Sequence, residues 1–274
     1  MKYLLPIAFL LCLFINCKSH QAFTDFKQDA NFPAFNKELI INIDGHLIAG
    51  YALIANGEAP KETIVLVHGY PGNDTSFDIA HALRRAGKNV IHFNARGAWG
   101  NQGDYLYSNG LKDIDAIIAY LSQPENAKKL RIQTNNFTLL GRSYGGGVAL
   151  IQGSLNPQVQ KIIAIASVNY GHIMDRYETL SDLGGFKKYM DKQFMIRTNV
   201  DAFLQEMLDN KDTFNVVNYH TQLQQKKVLV IEDTDKNDVW LNELTNIKIV
   251  KMKTDHNFID KRLALVQLIV DWLE

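Results

Sequence analysis

The sequence predicts an α/β fold: a mostly parallel, eight-stranded sheet flanked by helices, with a small helical cap inserted after the sixth strand. Three observations carry this. Strand-like and helix-like segments alternate along most of the 274 residues, the pattern of parallel strands joined by crossover helices. Several strand segments are unbroken apolar, β-branched runs, as strands buried on both faces require. One stretch, residues 170–226, breaks the alternation and reads as helical throughout. With 46% hydrophobic residues, a chain of this length suits one large domain with a sizeable core.

Residues 1–17 read as an export signal rather than part of the fold. Lys2 precedes an apolar run from Tyr3 to Ile15, too short to span a bilayer comfortably. Phe14-Ile15-Asn16-Cys17 resembles a bacterial lipobox, whose cysteine becomes the lipidated first residue of the mature protein. We therefore expect an exported, periplasmic or cell-surface protein, and lipidation at Cys17 is favoured over plain soluble secretion. Cys12 is the other of the two cysteines, so cleavage before Cys17 leaves no pair for an internal disulfide. Residues 18–37 are polar and mixed and read as a tether; the domain proper spans 38–274.

The domain opens on a hairpin. Leu39–Ile43 and His46–Ile54 alternate in polarity around Asp44-Gly45, which supplies the positive φ angles that tight hairpins need. Thr63–Val67 is a buried strand. Ser76–Ala86 has helical period and stops at Gly87. Asn89–Phe93 is the next strand and Leu111–Leu121 the next helix. Asn136–Leu140 is a strand that runs into Gly141, followed by a helix from Tyr144 to Leu155. Lys161–Ala166, Lys227–Ile231 and Ile247–Val250 complete the strands, and Ile259–Leu273 is the closing helix. In the interrupting segment, Val200–Leu208 is amphipathic. Aromatic and methionine residues recur there (Met174, Tyr177, Phe186, Tyr189, Met190, Phe203, Met207 among them). They suit the buried sides of two or three helices and the inner face of a cap over a substrate pocket.

Lys plus Arg number 29, as do Asp plus Glu, for a formal net charge of zero. That balance gives no basic stripe to neutralise nucleic-acid phosphates, and no reason to expect a strongly anionic substrate. No Cys-x-x-Cys, His-Glu-x-x-His or strand-linked Gly-x-Gly-x-x-Gly occurs, so neither metal nor dinucleotide cofactor is expected.

The chemistry-bearing motif is Gly141-Arg142-Ser143-Tyr144-Gly145, a G-x-S-x-G between a buried strand and a helix. There the serine sits on a strained turn with its hydroxyl above the sheet, and flanking glycines let strand and helix approach. Ser143 is the candidate nucleophile. The loop His68-Gly69-Tyr70-Pro71-Gly72 follows an earlier strand. The backbone N–H of Tyr70 and that of Tyr144 are candidates for an oxyanion hole. His68 reads as structural, hydrogen-bonded beneath its loop. His256 lies between the last strand and the last helix, on a loop from which an imidazole can reach the serine, so it is the candidate base. The orienting carboxylate should follow Val228–Ile231, where Glu232, Asp233, Asp235 and Asp238 all stand. Reach from the strand end favours Asp235. Asp238 is the alternative, because apolar Val239 and Leu241 follow it.

On these residues, with Arg96-Gly97-Ala98-Trp99-Gly100 and Asp255-His256-Asn257-Phe258, the chain resembles bacterial α/β-hydrolases of the dienelactone-hydrolase, esterase and prolyl-oligopeptidase-like group. The order serine, acid, histidine is the α/β-hydrolase order. The resemblance covers residues 38–274. It implies the α/β-hydrolase fold, two-step acyl transfer on a small-molecule substrate, and an Arg96–Gly100 loop packed against the oxyanion side. The expected activity is carboxylic ester hydrolysis. A serine peptidase or amidase on the same scaffold remains open, as does a non-catalytic anchored binding protein.

Overall fold

A computed structural model describes residues 22–72 and 76–274. The signal-like segment and Cys17 lie outside the described residues. The eight strands are β1 (Phe35–Ile43), β2 (His46–Ile54), β3 (Lys61–Val67), β4 (Asn89–Phe93), β5 (Ile132–Arg142), β6 (Val159–Ile165), β7 (Lys227–Glu232) and β8 (Lys248–Lys251). They form one sheet in the order β1-β2-β4-β3-β5-β6-β7-β8. β2 pairs antiparallel with β1 and with β4, while every pairing from β4 through to β8 is parallel. The β1–β2 turn at Asp44-Gly45 has positive φ at both residues, as the sequence predicts.

The central strands bury both faces by alternation. In β3, Val65 and Val67 face one core layer while Ile64 and Leu66 face the other. In β7, Val228 and Val230 face the first layer and Leu229 and Ile231 the second. Helices α1 (Phe77–Arg85), α2 (Tyr107–Ser122), α3 (Pro124–Lys129) and α4 (Tyr144–Leu155) join the strands up to β6. Cap helices α5 (Tyr170–Met174), α6 (Gly184–Met190), α7 (Val200–Asp209) and α8 (His220–Leu223) follow β6, with 3-10 turns at Leu180–Leu183 and Val216–Tyr219. Then come α9 (Asp238–Leu241) and α10 (Arg262–Leu273). Buried residues of α1 and α10 cover the Ile64 face, whereas α2, α4 and the cap cover the Val65 face.

Two expectations change in detail. The tether is partly folded onto the domain: Ala22 is buried and its carbonyl accepts a 2.6 Å hydrogen bond from Arg85, while the Phe32 carbonyl accepts from Gly57 at 2.8 Å. The cap, expected to lack strands, contributes a single bridge between Ile196 and Ala98. Around it, Arg197 N donates to the Gly97 carbonyl at 2.7 Å and Trp99 N to the Met195 carbonyl at 2.9 Å. Those bonds fasten the cap to the Arg96–Gly100 loop.

Candidate active site

The turn that carries Ser143 is built by close approach of backbone. β5 ends at Arg142 and α4 begins at Tyr144, leaving Ser143 between them at φ 54, ψ −118. A residue with a Cβ is rarely held there, and such strain clusters at functional sites. The flanking glycines make the turn feasible. A Cβ at Gly141 would lie 1.9 Å from the Gly145 carbonyl oxygen, and one at Gly145 would lie 2.1 Å from the Val67 carbonyl oxygen. Ser143 N donates to Ile165 at 2.8 Å, and its carbonyl accepts from Val168 at 3.0 Å, so β6 holds the turn from the side. The first N–H groups of α4, Tyr144 among them, have no carbonyl one turn earlier to bind and point towards the site.

A cleft above this turn is lined by Ser143 and His256 together with Tyr70, Arg142, Tyr189 and Asn257. The histidine loop enters it under several restraints. Asp255 Oδ1 accepts from Asn257 N at 2.8 Å and from Ile259 N at 3.2 Å, and Phe258 is fully buried at positive φ. Arg142, the residue before the serine, donates to the His256 carbonyl at 2.7 Å and to Asn257 Oδ1.

His256 Nδ1 donates to Asp233 Oδ2 at 2.9 Å. A carboxylate at Nδ1 fixes the proton there and leaves the Nε2 lone pair to act. Asp233 is buried. Burial pushes its pKa up, but the hydrogen bond from His256 and the nearby Lys236 ammonium outweigh this and hold the carboxyl below its ordinary range. The expected acids are corrected here. Asp235 and Asp238 both turn to Lys251 on β8, at 3.0 Å and 2.6 Å, rather than to the imidazole. Register explains it: Arg142, Ile165 and Ile231 lie in one row across β5, β6 and β7, so Asp233 stands one residue beyond the row of Ser143. Two residues later the chain has turned away. The sequence does not single out Asp233, because Glu232 and Asp235 also stand close behind Ile231.

Glu232 takes another role. Its fully buried carboxylate accepts from Ser167 N at 3.1 Å and from Asn237 Nδ2 at 2.7 Å. Burial pushes its pKa to about 7, against the hydrogen bonds of Asn237 and Ser167. It braces the turn that presents Asp233.

The loop from His68 to Gly72 is held by side chains packed behind it. His68 is buried, bonding the Gly69 carbonyl through Nδ1 at 2.6 Å and accepting from Ala95 N through Nε2 at 2.8 Å; burial lowers its pKa. Trp99 Nε1 donates to the Pro71 carbonyl at 2.6 Å. Arg96 is pinned beneath by the buried Asp113 and by Asp44. The Tyr70 ring leans on Tyr105 and Tyr189, with centroids 5.4 Å and 5.8 Å away. The Tyr144 ring is buried against Tyr105 and Tyr107, which leaves its backbone as the part facing the turn. Among the described residues, no group of three or more His, Cys, Asp or Glu side chains is placed to hold a metal ion.

Residues 64–229, well over half the chain, match the sequence profile of the alpha/beta hydrolase family. The chain belongs to the alpha/beta hydrolase family. As an alpha/beta hydrolase it shares its fold with many solved structures. Est1E from Butyrivibrio proteoclasticus, solved with ferulic acid bound, is 16% identical with a TM-score of 0.67, over 86% of this chain and 97% of that one. A hyperthermophilic esterase from the archaeon Pyrobaculum calidifontis is 16% identical with a TM-score of 0.62, over 88% and 83%. The Pyrococcus furiosus esterase Pf2001 is 16% identical with a TM-score of 0.59, over 89% and 90%. No curated protein matches the sequence.

Proposed function

We propose that this alpha/beta hydrolase is a serine esterase that cleaves carboxylic esters through Ser143, His256 and Asp233. One observation carries the reading: the serine on the strained turn shares a cleft with a histidine whose far nitrogen is held by a buried carboxylate. His256 Nε2 takes the Ser143 proton as Oγ attacks the ester carbonyl, and Asp233 stabilises the imidazolium that forms. The tetrahedral oxyanion rests on the N–H groups of Tyr70 and Tyr144. Collapse breaks the bond to the alcohol oxygen, which leaves with the proton from His256. Water, activated by the same imidazole, then frees the acid from the acyl-enzyme and restores Ser143. The esterases among the structural neighbours accord with this choice of substrate.

The test is covalent labelling together with turnover. A fluorophosphonate probe should label the wild-type protein, and Ser143→Ala should abolish both labelling and p-nitrophenyl ester hydrolysis. Labelling that survives in Ser143→Ala would refute the assignment. Turnover of aminoacyl amides at rates near those of esters would move the reading to a peptidase or amidase.

A further inference from the structure

We infer that the substrate's acyl group is uncharged and apolar, longer than acetyl, and that it lies in a recess inside the cap. This rests on the ester-hydrolase reading above and says which half of the ester enters which space.

A second recess, with a volume of about 80 Å³, adjoins the cleft. It is small, with room for a short apolar group rather than a whole ligand. Its walls are Met174, Met190, Met207, Phe186 and Phe203 with three tyrosines and Leu204, and none of its lining residues is charged. Tyr70 and Tyr189 line both spaces, so this tyrosine pair forms the threshold between them. Burial pushes the phenols of Tyr70 and Tyr170 up, which keeps them neutral at any working pH. A charged guest would have to be desolvated there without a partner, which is costly. An apolar one would meet flexible, polarizable thioethers and ring edges that adapt to its shape.

The two halves of the ester are told apart by His256. It must reach the leaving oxygen, so the alcohol lies on the side of His256 and Asn257, both of which belong to the cleft. The recess meets the cleft at Tyr70, which offers its N–H to the oxyanion and its ring to the threshold, and neither His256 nor Asn257 lines it. The chain bonded to the carbonyl carbon is therefore the one directed past Tyr70 and Tyr189 into the cap. An acetyl group ends before that threshold and gains nothing from the recess.

The experiment has two arms on the full-length protein. In the first, p-nitrophenyl esters from acetate to decanoate are compared with acetate esters of lengthening alcohols. The inference expects kcat/KM to rise at least about tenfold from acetate to octanoate, since each buried methylene adds to binding, and to rise little with alcohol length. It also expects the octanoate-to-acetate ratio to fall about fivefold or more in Phe186→Trp, which fills part of the recess. In the second arm, methyl-labelled methionine spectra are recorded with octanamide, an uncharged probe that needs no turnover. Met174, Met190 and Met207 should shift while Met252, on the other side of the sheet, stays put. A flat acyl series with good turnover, or a preference that follows the alcohol, overturns the inference. So do unmoved methionine signals, whatever the turnover. Methionine shifts without turnover of any ester would support the apolar recess and refute the ester-hydrolase reading alone.

Discussion

Asp233 is the residue on which the histidine's role depends, because its carboxylate decides which imidazole nitrogen carries the proton. Asp233→Asn keeps the shape but lets the amide stabilise the wrong tautomer. It should lower kcat by roughly three to four orders of magnitude. Asp235→Asn and Asp238→Asn remove only contacts to Lys251, a solvated cluster of the kind worth little. Each should keep kcat/KM within about threefold of wild type. Steady-state hydrolysis of one p-nitrophenyl ester by the three variants ranks the carboxylates, and a wild-type rate in Asp233→Asn would remove Asp233 from the site. The contrast also shows what could be read from sequence at this scale. Ser143 is legible because only one strand-to-helix turn carries glycines on both sides of a serine. His256 is legible because it follows the last strand. The acid is not legible, because four carboxylates follow one strand within seven positions. What separates them is Lys251 on β8, a partner fixed by strand order and not by local spacing.

Between elements, Arg142 is the part that ties β5 to the histidine loop. Its guanidinium holds the His256 carbonyl and the Asn257 side chain at once, so the imidazole is positioned from the same strand end that carries Ser143. Arg142→Met should loosen that loop without touching the reacting atoms. We expect kcat to fall about tenfold to a hundredfold, with KM changed far less. The rate of fluorophosphonate labelling should drop by the same factor. A change confined to thermal stability, with labelling rate intact, would make Arg142 structural only. Elsewhere, element boundaries were legible where the local chain sets them and not where distant groups do. β4 and α4 match their sequence assignments end for end. Helix α2 starts at Tyr107, one turn before the apolar period suggests. Its first N–H groups are capped by Glu206 Oε2 from α7, at 2.9 Å and 3.4 Å. No local sequence could announce that cap. Helix α3 was missed for the opposite reason: none of its residues is buried, so it carries no apolar stripe.

At the scale of the whole molecule, buried titratable groups on the two sides of neutrality set how stability varies with pH. Glu232 ionises at about 7 when folded, against an ordinary 4.5. The folded chain therefore binds more protons than the unfolded chain between those values, and stability falls as pH rises through the window. By pH 7 the loss is about 3 kcal/mol, from the size of the gap. His92 acts with the opposite slope. Burial, with a smaller push from His68, depresses its pKa from 6.5 to about 4, and burial lowers His68 as well. For these imidazoles the unfolded chain binds the extra protons, so their contribution is present above pH 6.5 and is lost as pH falls towards 4. Between pH 4.5 and 6.5 Glu232 offsets His92, while His68 adds to the imidazole side, so the stability of the wild-type protein should rise gently with pH there. Glu232→Gln removes one side of the balance. Its stability relative to wild type should improve by about 3 kcal/mol from pH 4.5 to pH 7.5, whatever constant penalty the amide adds by facing two donors with one acceptor. Urea denaturation at both pH values measures this, because any pH-independent cost of the substitution cancels in the difference. A difference that stays constant across the window would mean that Glu232 titrates alike in the folded and unfolded chains, and that the brace under Asp233 is charged throughout.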